Sequence, residues 1–412
     1  MSRRQQNRTD ESTATDVSIS DSLKSLVLNT WGVAGLYFFG DEEQRTASPE
    51  VMLRRMLSTK SAITTKSSLA EANQRAHEDV SQQHFSLVGK GQCGTVYSLK
   101  GTTMVVKLPN AANKNDELFI DFQVHKTVSE AFSTIYTVHN NIHIPKLEMW
   151  VSPESSHFWS AKAALFGHDV KVPNYGLVSE RIYPLPLPVR EAIVDALCPK
   201  AIIDSREEFL KKPENKDCLV RLYLGRKQDT RSFNPRNVKL RNFPLHLNEM
   251  ERIGLDTQQF ARVMAEALAV LHWKANVDAN DVEFVLGSTP LVVGKPNEDD
   301  VLAADKDSAA HLFYSDFEHR TISVWLLDFN ECRHFEHNQE GLSQLIRGFW
   351  FNDPYYPRPN SADSQDKNLW TTFSSHYLEI SAELVKGNVG PQKFIDGVVA
   401  EGMRRGGSSL FG

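Results

Sequence analysis

The chain lacks clustered cysteines. Its four, Cys93, Cys198, Cys218 and Cys332, stand far apart and no C-x-x-C pair occurs, so the thiolate spacing of a structural zinc site is missing. So few thiols suit a reducing compartment better than a disulfide-stapled secreted domain. The nearest approach to a ligand set, Cys332, His334 and His337 in CRHFEH, does not have zinc-site spacing either. An excess of positive charge is also missing. Lys and Arg number 46 against 52 Asp and Glu, a net charge of −6, which leaves no overall basic character for bulk nucleic-acid binding. Long apolar runs are absent too. The most apolar stretch, Leu26–Phe39 (LVLNTWGVAGLYFF), falls short of the roughly 20 residues a spanning helix needs and reads as a buried or docking segment. The amino terminus, MSRRQQNRTDESTATD, has no apolar core behind its basic residues, so no secretory leader is expected. The expected location is cytoplasmic or nuclear.

What is present is a soluble globular balance with a change of pattern along the chain. Residues 1–20 are polar and read as disordered. Residues 21–80 form an extension with helix-like stretches, one starting at Ser48, Pro49 and Glu50. From His84 the pattern turns to short β-branched and aromatic runs, HFSLVG, TVYSL and TMVVKLP, separated by glycine-rich turns. A helical pattern follows over about 115–132. Two further strands, IHIPKLEMWV and YGLVSERI, flank a polar insertion at about 152–173. After Pro184, Pro186 and Pro188 the chain turns mostly helical. The best helix is Thr257–Trp273, where Phe260, Val263, Met264, Ala267, Leu268 and Leu271 make one apolar stripe behind an Asp256 cap. Residues 203–218 and 288–308 read as insertions.

GKGQCGTVY, Gly89 to Tyr97, carries G-x-G-x-x-G-x-V. The three glycines alone also fit a dinucleotide-binding turn, in which the third opens a helix. Here a hairpin pattern follows, ending in MVVKL with Lys107, and that combination is the protein-kinase set. Gly89, Gly91 and Gly94 would let backbone amides approach phosphates, with Val96 beside them. Lys107 would bridge the nucleotide phosphates to a helix acid, Asp121 or Glu117, the usual position being Gln123. The bland alternative is a glycine-rich turn with Lys107 in water.

Downstream, LHWKANVDANDVEFVLG partly matches the kinase catalytic loop. Asp278, with Glu283 five residues on, has the spacing of the base and the metal-binding Asn. Asn276 then takes the place of the His, Asn280 that of a catalytic-loop Lys, and Asp281 offers a second register. LLDFN ends in Asp328, Phe329 and Asn330, the D-F-G position with Asn for Gly; Asn tolerates left-handed backbone angles. Asp328 would hold Mg²⁺. The alternative is that these acids cap and solubilise loops. No A-P-E segment follows.

These landmarks, with FNDPYYPRP at Phe351 to Pro359, resemble a family of filamentous-fungal proteins often labelled "zinc finger protein", over roughly 80–412. The resemblance implies no established activity, and more distantly the chain resembles the protein-kinase-like superfamily. The expected fold is α+β and protein-kinase-like, with extension 1–80, a small antiparallel lobe 81–183 and a helical large lobe 184–412. The expected function is a kinase-like nucleotide-binding protein, either a pseudokinase or an atypical phosphotransferase; an active small-molecule or protein kinase and a non-catalytic scaffold are the alternatives. The expected site is Lys107 and Asp278 as catalytic groups; Gly89, Gly91, Gly94, Val96, Lys107, Ser179, Glu180 and Ile182 around nucleotide; and Asp328 and Glu283 on metal. ATP and Mg²⁺ are the expected cofactors, without zinc. Nucleotide is the expected partner, a protein partner stays open, and neither nucleic acid nor a membrane span is expected.

Overall fold

A computed structural model describes residues 37–39, 41–59, 61–64, 68–135, 142–228, 237–292, 298–306 and 315–408. The disordered tail expected at 1–20 and most of the Leu26–Phe39 segment lie outside them. The fold is mixed α+β with two sheets.

The chain begins with β1 (Tyr37–Phe39), α1 (Asp41–Thr46), α2 (Pro49–Met56), β2 (Ser61–Thr64) and α3 (Ser68–Glu78). Ser48 caps α2, accepting from Val51 N, with Pro49 in the first turn where its missing N–H costs nothing. Met52, Leu53, Met56, Leu57 and Ile63 are buried in the largest core, and β2 pairs antiparallel with a long strand far downstream. Residues 37–64 are therefore built into the body of the fold rather than appended to it.

Next come β3 (Phe85–Lys90), β4 (Gly94–Leu99), β5 (Met104–Pro109), α4 (Asn115–Ser133), β6 (Ile142–His143), β7 (Leu147–Val151), α5 (Ser156–Lys162) and β8 (Gly176–Glu180). Their five-stranded antiparallel sheet has the order β3-β4-β5-β8-β7. The stretch 152–173, polar in composition, covers one face of this sheet: Trp159 and Phe166 pack with Phe85, Leu99, Val106, Leu108 and Val178. On α4, Leu118 joins a small core under the glycine-rich turn, whereas Val124, Val128 and Ala131 join the large one. The helix thus ties the two parts together.

The remainder is α6 (Leu187–Leu197), α7 (Lys200–Ile203), α8 (Arg206–Lys211), β9 (Val220–Tyr223), β10 (Phe243–His246), α9 (Leu247–Arg252), α10 (Thr257–Trp273), β11 (Glu283–Val292), α11 (Glu298–Ala303), β12 (Ser315–Leu327), α12 (Gln339–Phe351), α13 (Ser364–Leu384) and α14 (Gly390–Ser408). Among the described residues a second sheet runs β1-β2-β12-β11-β9-β10, with β6 also on β12. The stretch 203–218 contains α8, and 288–292 continues β11, so neither is a simple looped insertion. Asp256 caps α10 by accepting from Gln259 N at 2.9 Å, and the expected stripe is buried in full. No helix among the described residues is long and apolar enough to cross a membrane.

His272, fully buried on α10, has its Nδ1 2.9 Å from the Tyr377 hydroxyl of α13. Burial pushes its pKa down from 6.5 to about 3. A depressed histidine pKa leaves stability intact above pH 6.5. Stability is then lost as pH falls toward 3, because the unfolded chain takes up the proton first. The acid limb of unfolding free energy against pH is expected to flatten in His272→Gln by about 1.4 kcal/mol per pH unit between pH 6 and 4. Parallel limbs in urea titrations would contradict this.

Candidate functional site

A cleft of about 430 Å³ lies between the two sheets, within the usual range for small-molecule sites. Its roof is the turn between β3 and β4. Gly94 has no room for a side chain: a Cβ there would sit 2.7 Å from Leu108 O and 3.0 Å from Lys107 Cγ. Gly89 and Gly91 are less crowded by protein. The turn is stapled by Asn110, whose Nδ2 donates to Gly91 O (2.8 Å) and Gln92 O (3.0 Å) and whose Oδ1 accepts from Thr95 Oγ1 (2.7 Å). Val96 is paired across the ladder with Lys107, and both line the cleft.

Lys107 is the centre of the site. Its Nζ donates to Asp121 Oδ2 at 2.7 Å and to Asp328 Oδ1 at 3.1 Å, with Lys107 and Asp121 side chains 15% and 6% exposed. Burial works to lower the lysine pKa, but the Asp121 and Asp328 carboxylates outweigh it and hold the ammonium charged. Asp121 Oδ1 accepts from Phe329 N (3.2 Å), locking the residue after Asp328 onto α4. The helix acid is therefore Asp121. Glu117 pairs with Lys114 and accepts from Asn330 Nδ2, and Gln123 is exposed. The left-handed residue of D-F-N is Asp328, at φ 67°, rather than Asn330.

Ser179, Glu180 and Ile182 form the cleft's rear edge. The Glu180 and Arg181 amides are used by Lys146 O and Thr103 O, and the Tyr183 amide by Ser288 O. Of Glu180 to Ile182, the amide of Ile182 is the one left without a hydrogen bond among the described residues. Its side chain is seated where Gly287 has no Cβ.

Asp278 does not line the cleft. It is 4% exposed, and three hydrogen bonds hold its carboxylate: Oδ1 accepts from Asn280 N (3.2 Å) and Arg333 N (2.9 Å), and Oδ2 from Gln344 Nε2 (2.7 Å). These bonds pin the loop, and the structure does not bring Asp278 into the cleft with the other expected site residues. Asp281, offered by the alternative register, does line the cleft. Burial first, then the Asp328 and Glu331 charges, push its pKa from 3.8 up to about 6. Glu283 lines the cleft but forms an ion pair with Arg221 of β9. Its pKa is nonetheless raised by burial. Glu283 thus stands in the cleft as one half of a charge pair, as Asp328 does with Lys107.

The loop holding Asp278 and Asp281 is strained, with Asn276, Ala279 and Asp281 at φ 56°, 54° and 61°. One face of α12 braces it. Gln344 holds Asp278; Gly348 lets the helix approach, since a Cβ would meet Asp278 O at 2.7 Å; and Asn352 Oδ1 accepts from Asp281 N (2.6 Å) while its Nδ2 donates to Ala279 O (2.8 Å). Asn110, Asn352, Arg181, Arg221 and Arg241 belong to the site and escape a motif reading. The four-residue spacing of Gln344, Gly348 and Asn352 was the one available signal.

A family described as "Zinc finger protein" matches residues 324–389. No curated protein matches the chain. Within the matched stretch Cys332 Sγ donates to Asn280 O, His334 Nδ1 lies 2.9 Å from Asn276 O, and His337 Nε2 lies 2.9 Å from Asn276 Oδ1. Among the described residues no group of three His, Cys, Asp or Glu side chains is placed to hold a metal ion. The matched stretch instead carries Asp328 and the α12 brace.

Because the folded pKa of Asp281 exceeds its unfolded value, ionising it costs stability as pH rises from about 4 through 6. Asp281→Asn is expected to gain about 1 kcal/mol at pH 7.5, once solvent screening of a half-exposed carboxyl is allowed for, and nothing extra at pH 4. An increment that does not change with pH would show the Asp281 charge to be unperturbed.

Proposed function

We propose that the chain is a nucleotide-binding protein of protein-kinase-like, two-lobed fold, holding ATP in the cleft as an atypical phosphotransferase. The observation that carries this reading is the Lys107 ammonium, set under a glycine-rich turn and paired at once with the helix acid Asp121 and with Asp328 after β12. The strand order β3-β4-β5-β8-β7 with α4 between β5 and β7 agrees with a kinase-like small lobe. In this reading Lys107 contacts the phosphates, the Ile182 amide and neighbouring carbonyls receive the base, and Gly89 and Gly91 leave room for the triphosphate.

Asp328, about one third exposed in the cleft, would hold Mg²⁺ through its hard carboxylate oxygen. The ion would there neutralise charge on the phosphates. Asp281 is the base. It takes the proton of the acceptor hydroxyl as that oxygen bonds to the γ-phosphorus. The bond from that phosphorus to the β,γ-bridging oxygen breaks, and ADP leaves. A carboxylate with a pKa near 6 is suited to this at neutral pH. A second reading, a pseudokinase that binds nucleotide without transfer, is favoured by the three hydrogen bonds that hold Asp278 away from the cleft.

At 100 times its Kd, MgATP should stabilise the protein by about 2.7 kcal/mol in a thermal-shift titration. Lys107→Ala and Asp328→Asn should abolish the shift. No shift in the wild type, or an equal one in both variants, refutes nucleotide binding here. Asp281→Asn should slow phosphate release from ATP about 100-fold or more; a wild type that binds but never turns over establishes the second reading.

A further inference from the structure

Three arginines share the lining of the cleft with its acids. Arg181, Arg221 and Arg241 line it, as do Asp217 and Glu283. The parallel pairing of β9 with β10, Val220 opposite Phe243, puts the residues before each strand, Asp217 and Arg241 among them, at the same end of the pair. Arg181 is buried, 5% exposed, with Nη2 3.4 Å from Asp217. Arg221 is paired with Glu283. Arg241 has no ion pair among the described residues, and Asp217 already lies in the fields of both Arg181 and Arg241. The Nε groups of Arg221 and Arg241 are buried donors with no acceptor, a costly condition that a bound oxygen anion would relieve. Planar guanidinium forks match carboxylate and phosphate oxygens.

We propose that Arg181, Arg221 and Arg241 form an oxyanion-binding subsite, so that the cleft's second ligand is a small molecule bearing a carboxylate or phosphate group. The subsite stands on the arginines alone. Its assignment to a phosphoryl acceptor rests on the nucleotide reading above.

Calorimetric titration of the full chain with inorganic phosphate and, separately, with succinate tests this. At least one should bind, and which one separates a phosphorylated from a carboxylated ligand. Arg241→Gln should weaken binding at least tenfold without a comparable fall in melting temperature, whereas Lys90→Ala, at the glycine-rich turn, should leave it unchanged. If Arg241→Gln fails to fold, Arg241→Lys, which keeps the charge but loses the fork, should still weaken binding about threefold; unchanged affinity would overturn the proposal. So would binding of neither anion, or binding that depends on Lys90 rather than Arg241, since the anion would then sit under the glycine-rich turn. MgATP titrated in parallel separates the two readings. Loss of nucleotide binding with Arg241-dependent anion binding intact refutes the first reading and supports the subsite.

Discussion

A buried ammonium must be paired, and Lys107 is paired twice. Its attraction to Asp121 and Asp328 outweighs the desolvation that would otherwise strip its proton. That one cation ties together a strand of the small sheet, the helix α4 and the turn that ends β12. Remove it, and two carboxylates face each other with no counter-charge, at a cost of roughly 3–5 kcal/mol for a broken buried pair. The position of α4, the seat of Phe329 against Asp121 and the shape of the cleft all follow from this pairing.

The carboxylates around that centre do unlike work because their surroundings differ. Asp278 and Asp281 stand three residues apart in one loop. The first is enclosed by three hydrogen bonds and acts as a splint. The second faces the cleft, where burial and the neighbouring Asp328 raise its pKa. Glu283, two residues further, is neutralised by Arg221. The cleft therefore mixes acids and arginines along one lining.

Much of this was legible in the chain. The glycine-rich turn and Lys107 fall on adjacent strands, and the α10 stripe and its Asp256 cap were readable because capping and 3.6-residue periodicity are local. What escaped was whatever depends on distant contacts. Composition marks 152–173 as a polar insertion and hides that its Trp159 and Phe166 pack on a sheet face. Residues 37–64 read as an extension because strand pairing with β12 joins segments some 250 residues apart. Asp278 was preferred to Asp281 on spacing, since a sequence cannot say which carboxylate is already used by backbone amides. Arg221 and Arg241 carry no motif at all; β9 and the residues before β10 carry them to the cleft.

The central claim is that the paired lysine marks a phosphate-binding cleft. A crystal structure of the full chain with Mg²⁺ and a non-hydrolysable ATP analogue tests it most directly. The account predicts phosphate density within hydrogen-bonding distance of Lys107 Nζ, metal density on Asp328, and a base seated at Ile182. Ligand density at another place on the molecule, or a cleft that stays closed by the Lys107 ion pairs at saturating nucleotide, would contradict it.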